Sequence, residues 1–221
     1  MVLYDLHTHT THSDGELIPA ESARRAYVAG YGGIAVTDHA DSSNILHLLE
    51  SYLRFKEIFN TSSPDFKVII GVELTHVSPK DIAKLSETAR NNGADIVVVH
   101  GETIAEPVEE GTNRAAIEAG VDILAHPGLI TENDAALAAL NNVHLEITTR
   151  KGHSLTNAHV ANMARITGAS LVINNDAHSP SDYVGISMAT KVLYGCGLNA
   201  SEINKVLDNN KIIFEKALGG R

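Results

Sequence analysis

Residues 95–100 read Asp-Ile-Val-Val-Val-His. Four consecutive β-branched apolar residues favour a strand, and their failure to alternate with polar residues marks a strand buried on both faces. Such strands belong to parallel sheets covered by helices. This one ends in a histidine, which is an unusual way to leave an apolar run. Working outward, the same form recurs. Strands are expected at Val2–Leu6, Gly33–Thr37, Lys67–Leu74, Asp95–Val99, Asp122–Ala125, Val143–Ile147 and Ser170–Asn174. Helical patterns fall between them, at Glu21–Ala29, Ile45–Phe59, 79–92, Asn113–Ala119, Asn133–Leu140, Asn157–Thr167 and Ser201–Leu207. Gly30, Gly93, Gly120 and Gly168 each follow a helical stretch, as a C-terminal glycine should. No linker or repeat divides the 221 residues, so residues 1–221 are read as one α/β domain.

The polar residues at the strand ends decide between an open sheet and a closed one. Strand 1 leads into His7 and His9, with Asp14 beyond. Strand 2 ends in Thr37-Asp38-His39, strand 3 carries Glu73, and strand 4 ends in His100. Strand 5 leads into His126, strand 6 carries Glu146 and then Arg150-Lys151, and strand 7 leads into Asp176 and His178. Every strand delivers a candidate polar group at its C-terminal end, where (β/α) barrels place their function. In an open sheet the edge strands would lie far from a common centre. A barrel is therefore expected over a doubly wound sheet.

These residue types suit a metal. Histidine is the commonest metal ligand. In a strand, residues i and i+2 share a face, so His7-x-His9 and Asp176-x-His178 can each aim two donors at one point. Glu73 lies inside an apolar run, and a buried carboxylate needs a partner. The net charge is −10 with histidine neutral, which argues against a nucleic-acid binder working through a basic face. It leaves room for a small anionic substrate, because bound cations invert the local charge. No apolar run is long enough to span a membrane and the N-terminus lacks the features of a signal peptide, so a cytoplasmic location is expected. The single cysteine, Cys196, allows no intrachain disulfide.

At these residues the sequence resembles the PHP (polymerase and histidinol phosphatase) domain family, over essentially the whole chain. The first motif, H-x-H-x-x-x-S-D-G, stands as His7-Thr-His9-Thr-Thr-His-Ser13-Asp14-Gly15. Thr37-Asp38-His39, Gly71-Val-Glu73, His100, His126 and Asp176-x-His178 follow in order. The resemblance implies a distorted seven-stranded (β/α)7 TIM-like barrel holding three divalent metal ions. His7, His9, Glu73 and Asp176 would hold one ion. Glu73, His100 and His126 would hold a second, and Asp14, His39 and His178 a third. His12 is an alternative donor at the Asp14 position. Oxygen and imidazole donors without thiolate suit Zn, Mn or Fe.

The expected activity is hydrolysis of a small phosphorylated metabolite, a histidinol-phosphatase-like phosphomonoester hydrolysis by a metal-bridging hydroxide. Asp176, His178 and Arg150 are the expected catalytic groups. Arg150 or Lys151 could hold the phosphate, since arginine matches phosphate oxygens bidentately. His76 and His153 could assist, and Glu102 and Glu106 could select a cationic substrate group or cap structure. Asp38 could orient His39. His47, His144 and His159 read as surface or packing residues. A phosphodiesterase or exonuclease would use the same ions, but the acidic chain ranks nucleic acid lower. The remaining alternative is a non-catalytic, metal-binding regulatory domain. A related barrel hydrolase with a carbamylated lysine on strand 4 is disfavoured, because residues 95–100 contain no lysine.

Overall fold

The β-branched runs form the staves of a barrel. A computed structural model describes residues 2–219. Its strands are β1 (Leu3–Asp5), β2 (Tyr31–Val36), β3 (His39–Ala40), β4 (Lys67–Leu74), β5 (Ile96–His100), β6 (Ile123–Ala125), β7 (His144–Thr148) and β8 (Leu171–Asn174). All pairings are parallel, in the order β1-β2-β4-β5-β6-β7-β8, with β3 also on β4. Strands β2 and β3 pair with successive halves of β4, so they act as one stave interrupted at Thr37-Asp38. Seven staves result, and the ring is nearly closed.

The seam between β1 and β8 is fastened by an isolated bridge, Thr8 to Ala177, and by side chains. The Leu6 amide donates to Asn174 Oδ1 at 2.9 Å, across 168 residues of sequence. Helices α1 (Pro19–Val28), α2 (Ile45–Ser62), α3 (Pro79–Asn91), α4 (Thr112–Glu118), α5 (Glu132–Asn141), α6 (Asn157–Thr167) and α7 (Ile186–Gly195) surround the ring. Helix α8 (Ala200–Leu218) packs across β8, β1, β4 and β2.

Both faces of each stave are buried, as their unbroken apolar runs require. Ile34, Val36, Val68, Ile70, Val97, Val99, Leu145 and Ile173 face the helices. Leu6, Ala35, Ile69, Ile96, Val98, Ile123 and Val172 fill the ring, and Phe214 and Ala217 of α8 complete this inner cluster. Phe214 fits because residue 33 is glycine: a Cβ there would lie 2.2 Å from the ring. Gly71 permits an equally close approach of β4 to β5, since a Cβ would lie 2.2 Å from the Ile96 carbonyl oxygen.

Two helices differ most from the sequence reading. Helix α7 was not expected, and α8 runs eleven residues past Leu207, to Leu218. The expected helix stops at Leu207, just before Asp208-Asn209-Asn210, whose side chains compete with helix backbone. Here Asn210 is fully buried and spends its side chain on the seam. Its Oδ1 accepts from the Ile173 amide at 2.9 Å, and its Nδ2 donates to the carbonyls of Ile173 at 2.8 Å and Tyr4 at 3.0 Å. Tertiary bonds override the local preference.

Candidate metal centre

The C-terminal ends of the staves converge. His7 and His9 follow β1, Glu73 is the seventh residue of β4, His100 ends β5, His126 follows β6, and Asp176 and His178 follow β8. All but His178 are 0–3 % exposed. Two of these residues sit in left-handed backbone, His126 at φ 27° and Asp176 at φ 52°. That conformation is strained for a residue with a Cβ, and such strain gathers at functional sites.

The donor atoms form overlapping groups, each with its members within 4.8 Å of one another. His7, His9 and Asp176 are one group, and His7, Glu73 and His126 another. His9, Asp14, His39 and His178 make a third. His100 stands beside Glu73, with Nδ1 at 3.3 Å from Glu73 Oε1. The structure thus brings together all nine side chains singled out in the sequence. Asp14, not His12, occupies the third group; His12 instead packs on the Tyr52 ring at 5.2 Å between centroids.

The spacing tests whether an ion fits. Two donors about 2.1 Å from one ion, at octahedral or tetrahedral angles, lie about 3.0–3.4 Å apart. The observed edges are His7 Nε2–His9 Nε2 at 3.0 Å, His7 Nε2–Glu73 Oε1 at 3.2 Å and His9 Nε2–Asp176 Oδ1 at 3.1 Å. In the outer group, Asp14 Oδ1 lies 3.3 Å from His39 Nε2 and 3.1 Å from His178 Nε2. Several of these atoms are close without being bonded. Asp176 Oδ1 and both ring nitrogens of His126 are buried and lack any hydrogen-bond partner. Buried polar atoms are normally satisfied. Donors that face one another yet do not bond fit a cation at their common focus.

The electrostatics agree. Burial would push Glu73 and Asp176 up, but the surrounding imidazoles, His7 foremost, hold both well below the usual carboxylate range. Burial would push His39 down, but Glu73 and Asp14 raise it to about 10. His7 is likewise raised, against its burial, by Glu146 and Glu73. His9 is lowered to about 4 by burial, with the charge of His39 adding to the effect. The buried carboxylates Glu73 and Asp176 are thus held in their charged form by the imidazoles around them.

Around the donors stand groups that fix them. His7 Nδ1 donates to Glu146 Oε2 at 2.8 Å, and Asn174 Nδ2 donates to the same oxygen at 2.9 Å. Ligating histidines commonly carry such a carboxylate on the far nitrogen. The family resemblance omits Glu146; its place inside the apolar run Leu145-Glu-Ile147 was the available signal. His39 Nδ1 faces Glu73 Oε2 at 2.6 Å and Thr75 Oγ1 at 2.7 Å. Asp38 does not orient His39, contrary to expectation. It accepts from the Thr10 amide at 2.7 Å, Thr10 Oγ1 at 2.8 Å, Ser13 Oγ at 2.5 Å and the Tyr52 hydroxyl. It therefore anchors the loop that carries Asp14.

Arg150 reaches the site. Its Nη1 donates to the Asp176 carbonyl at 3.1 Å and lies 2.6 Å from His178 Nδ1, and its Nε lies 3.4 Å from Asp176 Oδ2. Lys151 is exposed. Glu102 caps α4, accepting from the amides of Gly111 at 3.0 Å and Asn113 at 2.9 Å, and is structural. Glu106 meets His76, His100 and His153 at 3.2–3.3 Å. His144 and His159 bond the carbonyls of Asp122 and Ile130, and His47 is exposed. No helix among the described residues is long and apolar enough to cross a membrane.

Comparison with known proteins places this arrangement. The chain is 50 % identical over 216 residues to an uncharacterized protein of Methanocaldococcus jannaschii, covering 97 % of both. It is 28 % identical to ribonuclease P protein component 3 of Methanosarcina barkeri, over 90 % of this chain and 82 % of that one. It is also 28 % identical to a Vibrio cholerae protein whose name gives phosphatase as its expected activity, over 90 % and 87 % of the two chains. The PHP domain family matches residues 5–163, which span β1 to α6. With that match and the barrel beneath it, the chain belongs to the PHP domain family.

Proposed function

We propose that this protein is a metal-dependent phosphoesterase that hydrolyses a small phosphomonoester at a site holding three divalent cations. The observation that carries the reading is the set of donor edges at 3.0–3.3 Å between converging groups that do not all bond one another. Family membership and the similarity to a protein named for phosphatase activity support it. His7, His9, Glu73 and Asp176 would hold one ion, Glu73, His100 and His126 a second, and Asp14, His39 and His178 a third. When bound, such ions polarise the phosphoryl oxygens and lower the pKa of water at neutral pH.

The chain's own residues do the rest. The Glu146 carboxylate keeps the His7 ring oriented with Nε2 inward. Asp38 holds the loop that brings Asp14 to His39 and His178. Arg150 spends Nε and Nη1 on Asp176 and His178, which leaves Nη2 for a phosphate oxygen. Ring, loop and guanidinium are set before substrate arrives, so little reorganisation is needed on binding.

The test is phosphate release from a panel of phosphomonoesters, histidinol phosphate included, by protein loaded separately with Mn, Zn and Fe. Release by wild type and none by Asp176→Asn, with an unchanged circular dichroism spectrum, is the expected result. Cleavage of diesters or oligonucleotides alone would replace this reading with a phosphodiesterase or exonuclease. No cleavage of any ester by metal-loaded protein would leave a non-catalytic metal-binding role.

A further inference from the structure

A second gathering of donors lies beside the nine residues already described and shares one of them, His100. His76, in the loop after β4, and Glu106, in the loop after β5, meet His100 on its outward side. Glu106 Oε2 lies 3.2 Å from His76 Nε2 and 3.2 Å from His100 Nε2. The His76, His100 and Glu106 donor atoms all fall within 4.8 Å of one another. His153 Nε2 faces the other oxygen of Glu106 at 3.3 Å, and its ring is fixed by Thr103 Oγ1 at 2.8 Å from Nδ1. The groups paired with Glu106 are all imidazoles, among the described residues.

Two further observations point to a ligand. His100 is 3 % exposed, and its Nε2 has no hydrogen-bond partner although Glu106 lies 3.2 Å away. A buried donor aimed at a carboxylate without bonding it is the same signature found in the buried cluster. His76 sits at φ 51°, and only four non-glycine residues among those described have positive φ. Two of the others are His126 and Asp176; the fourth, Asn142, is the C-cap of α5. Holding a histidine in that backbone carries a strain cost that nothing in the packing of an exposed loop residue requires.

We infer that His76, Glu106 and the outward nitrogen of His100 form a peripheral site for a zinc-like divalent cation. Two imidazoles and one carboxylate are a donor set that zinc accepts with a position left open. The His100 ring then stands between two sites, Nδ1 toward Glu73 and Nε2 toward Glu106, and gives its remaining ring proton to solvent when both nitrogens ligate. His76 and Glu106 are 46 % and 39 % exposed, so an ion here would exchange with solvent more readily than one among the buried donors His7, His9, Glu73 and Asp176. Occupancy here does not depend on ester hydrolysis at the buried cluster.

The test counts Zn2+ per chain by elemental analysis after metal-free full-length protein is titrated and dialysed. The proteins compared are wild type, His76→Asn, Glu106→Gln and Asp176→Asn. Asparagine tolerates left-handed backbone, and both peripheral positions are solvent-facing, so melting curves of the metal-free variants should overlay that of wild type. The expected result is one equivalent fewer in His76→Asn and in Glu106→Gln. Equal stoichiometry in wild type and both peripheral variants overturns the assignment, as does a wild type that takes up no Zn2+. Loss of an equivalent in the peripheral variants, with none lost in Asp176→Asn, keeps this site and removes the buried one.

Discussion

His7 Nδ1 and Glu146 Oε2 are 2.8 Å apart, both wholly buried, on staves that are not neighbours in the ring. The bond joins the two staves that flank β8, whose Asn174 donates to the same oxygen, and fixes which nitrogen of His7 faces the donor cluster. Among the nine donors Glu146 bonds His7, and its charge also adds to the Asp176 influence that raises His126. Glu146→Gln should weaken metal binding by about 10–100-fold, the usual cost of losing such a partner. Competition with a chromophoric chelator measures this. A variant that binds as tightly as wild type would show that packing alone orients His7.

Metal uptake should release protons. In the metal-free protein His39 is raised to about 10 by Glu73 and Asp14, against its burial, so it is protonated throughout the physiological range. An ion at Asp14, His39 and His178 must displace that proton. Apparent Mn2+ affinity should therefore climb between pH 6 and 8.5, by up to about tenfold per pH unit for each proton displaced. The linkage to stability has a definite sign. A raised histidine pKa stabilises the metal-free fold fully below the unfolded value of 6.5, and the contribution fades as pH rises through 10. The gap in melting temperature between metal-loaded and metal-free protein should therefore widen with pH. A gap that narrows over that range would contradict the assignment.

Asp38→Ala should destabilise the protein by about 3 kcal/mol, because buried donors on Thr10 and Tyr52 lose a charged acceptor. Urea denaturation reads the loss. The same variant should bind the ion of the Asp14, His39 and His178 group less well, since Asp14 rides on the freed loop. Stability lost without any effect on metal binding would separate the two roles.

Asn210→Leu keeps the side chain's approximate volume and removes its bonds to Ile173 and Tyr4. Leaving those buried backbone groups unpaired should cost about 2–4 kcal/mol, again by urea denaturation. The fold should otherwise be retained, since Phe214 and Ala217 still pack against the inner cluster.

The barrel was legible in the sequence because its staves are apolar on both faces. Ile-Val-Val-Val can be read as a buried parallel strand with no knowledge of its neighbours. The convergence of donors was legible for a related reason, since a stave ending in histidine points at the ring axis whatever its partner. What escaped depends on distant bonds. The Asn209-Asn210 pair reads as a break because a local rule sees no reason for a buried asparagine in a helix, and the reason lies on β1 and β8. Asp38 was linked to His39 by adjacency in sequence, whereas the backbone turns its carboxylate toward Thr10 and Ser13. Glu106 carried no periodic signal, and only the folding of its loop toward His76 and His153 gives it a setting.

The seam also bears on the order in which the molecule assembles. His7 and His9 leave the ring on one side of it, Asp176 and His178 on the other, and Leu6 finds Asn174 only across 168 residues. Contacts of such long range form late, because loop closure must come first. Until then a growing or refolding chain offers only short histidine and aspartate pairs, each a poor chelator. Ions held at this site would therefore be captured by a ring that has already closed, sealing the fold without starting it.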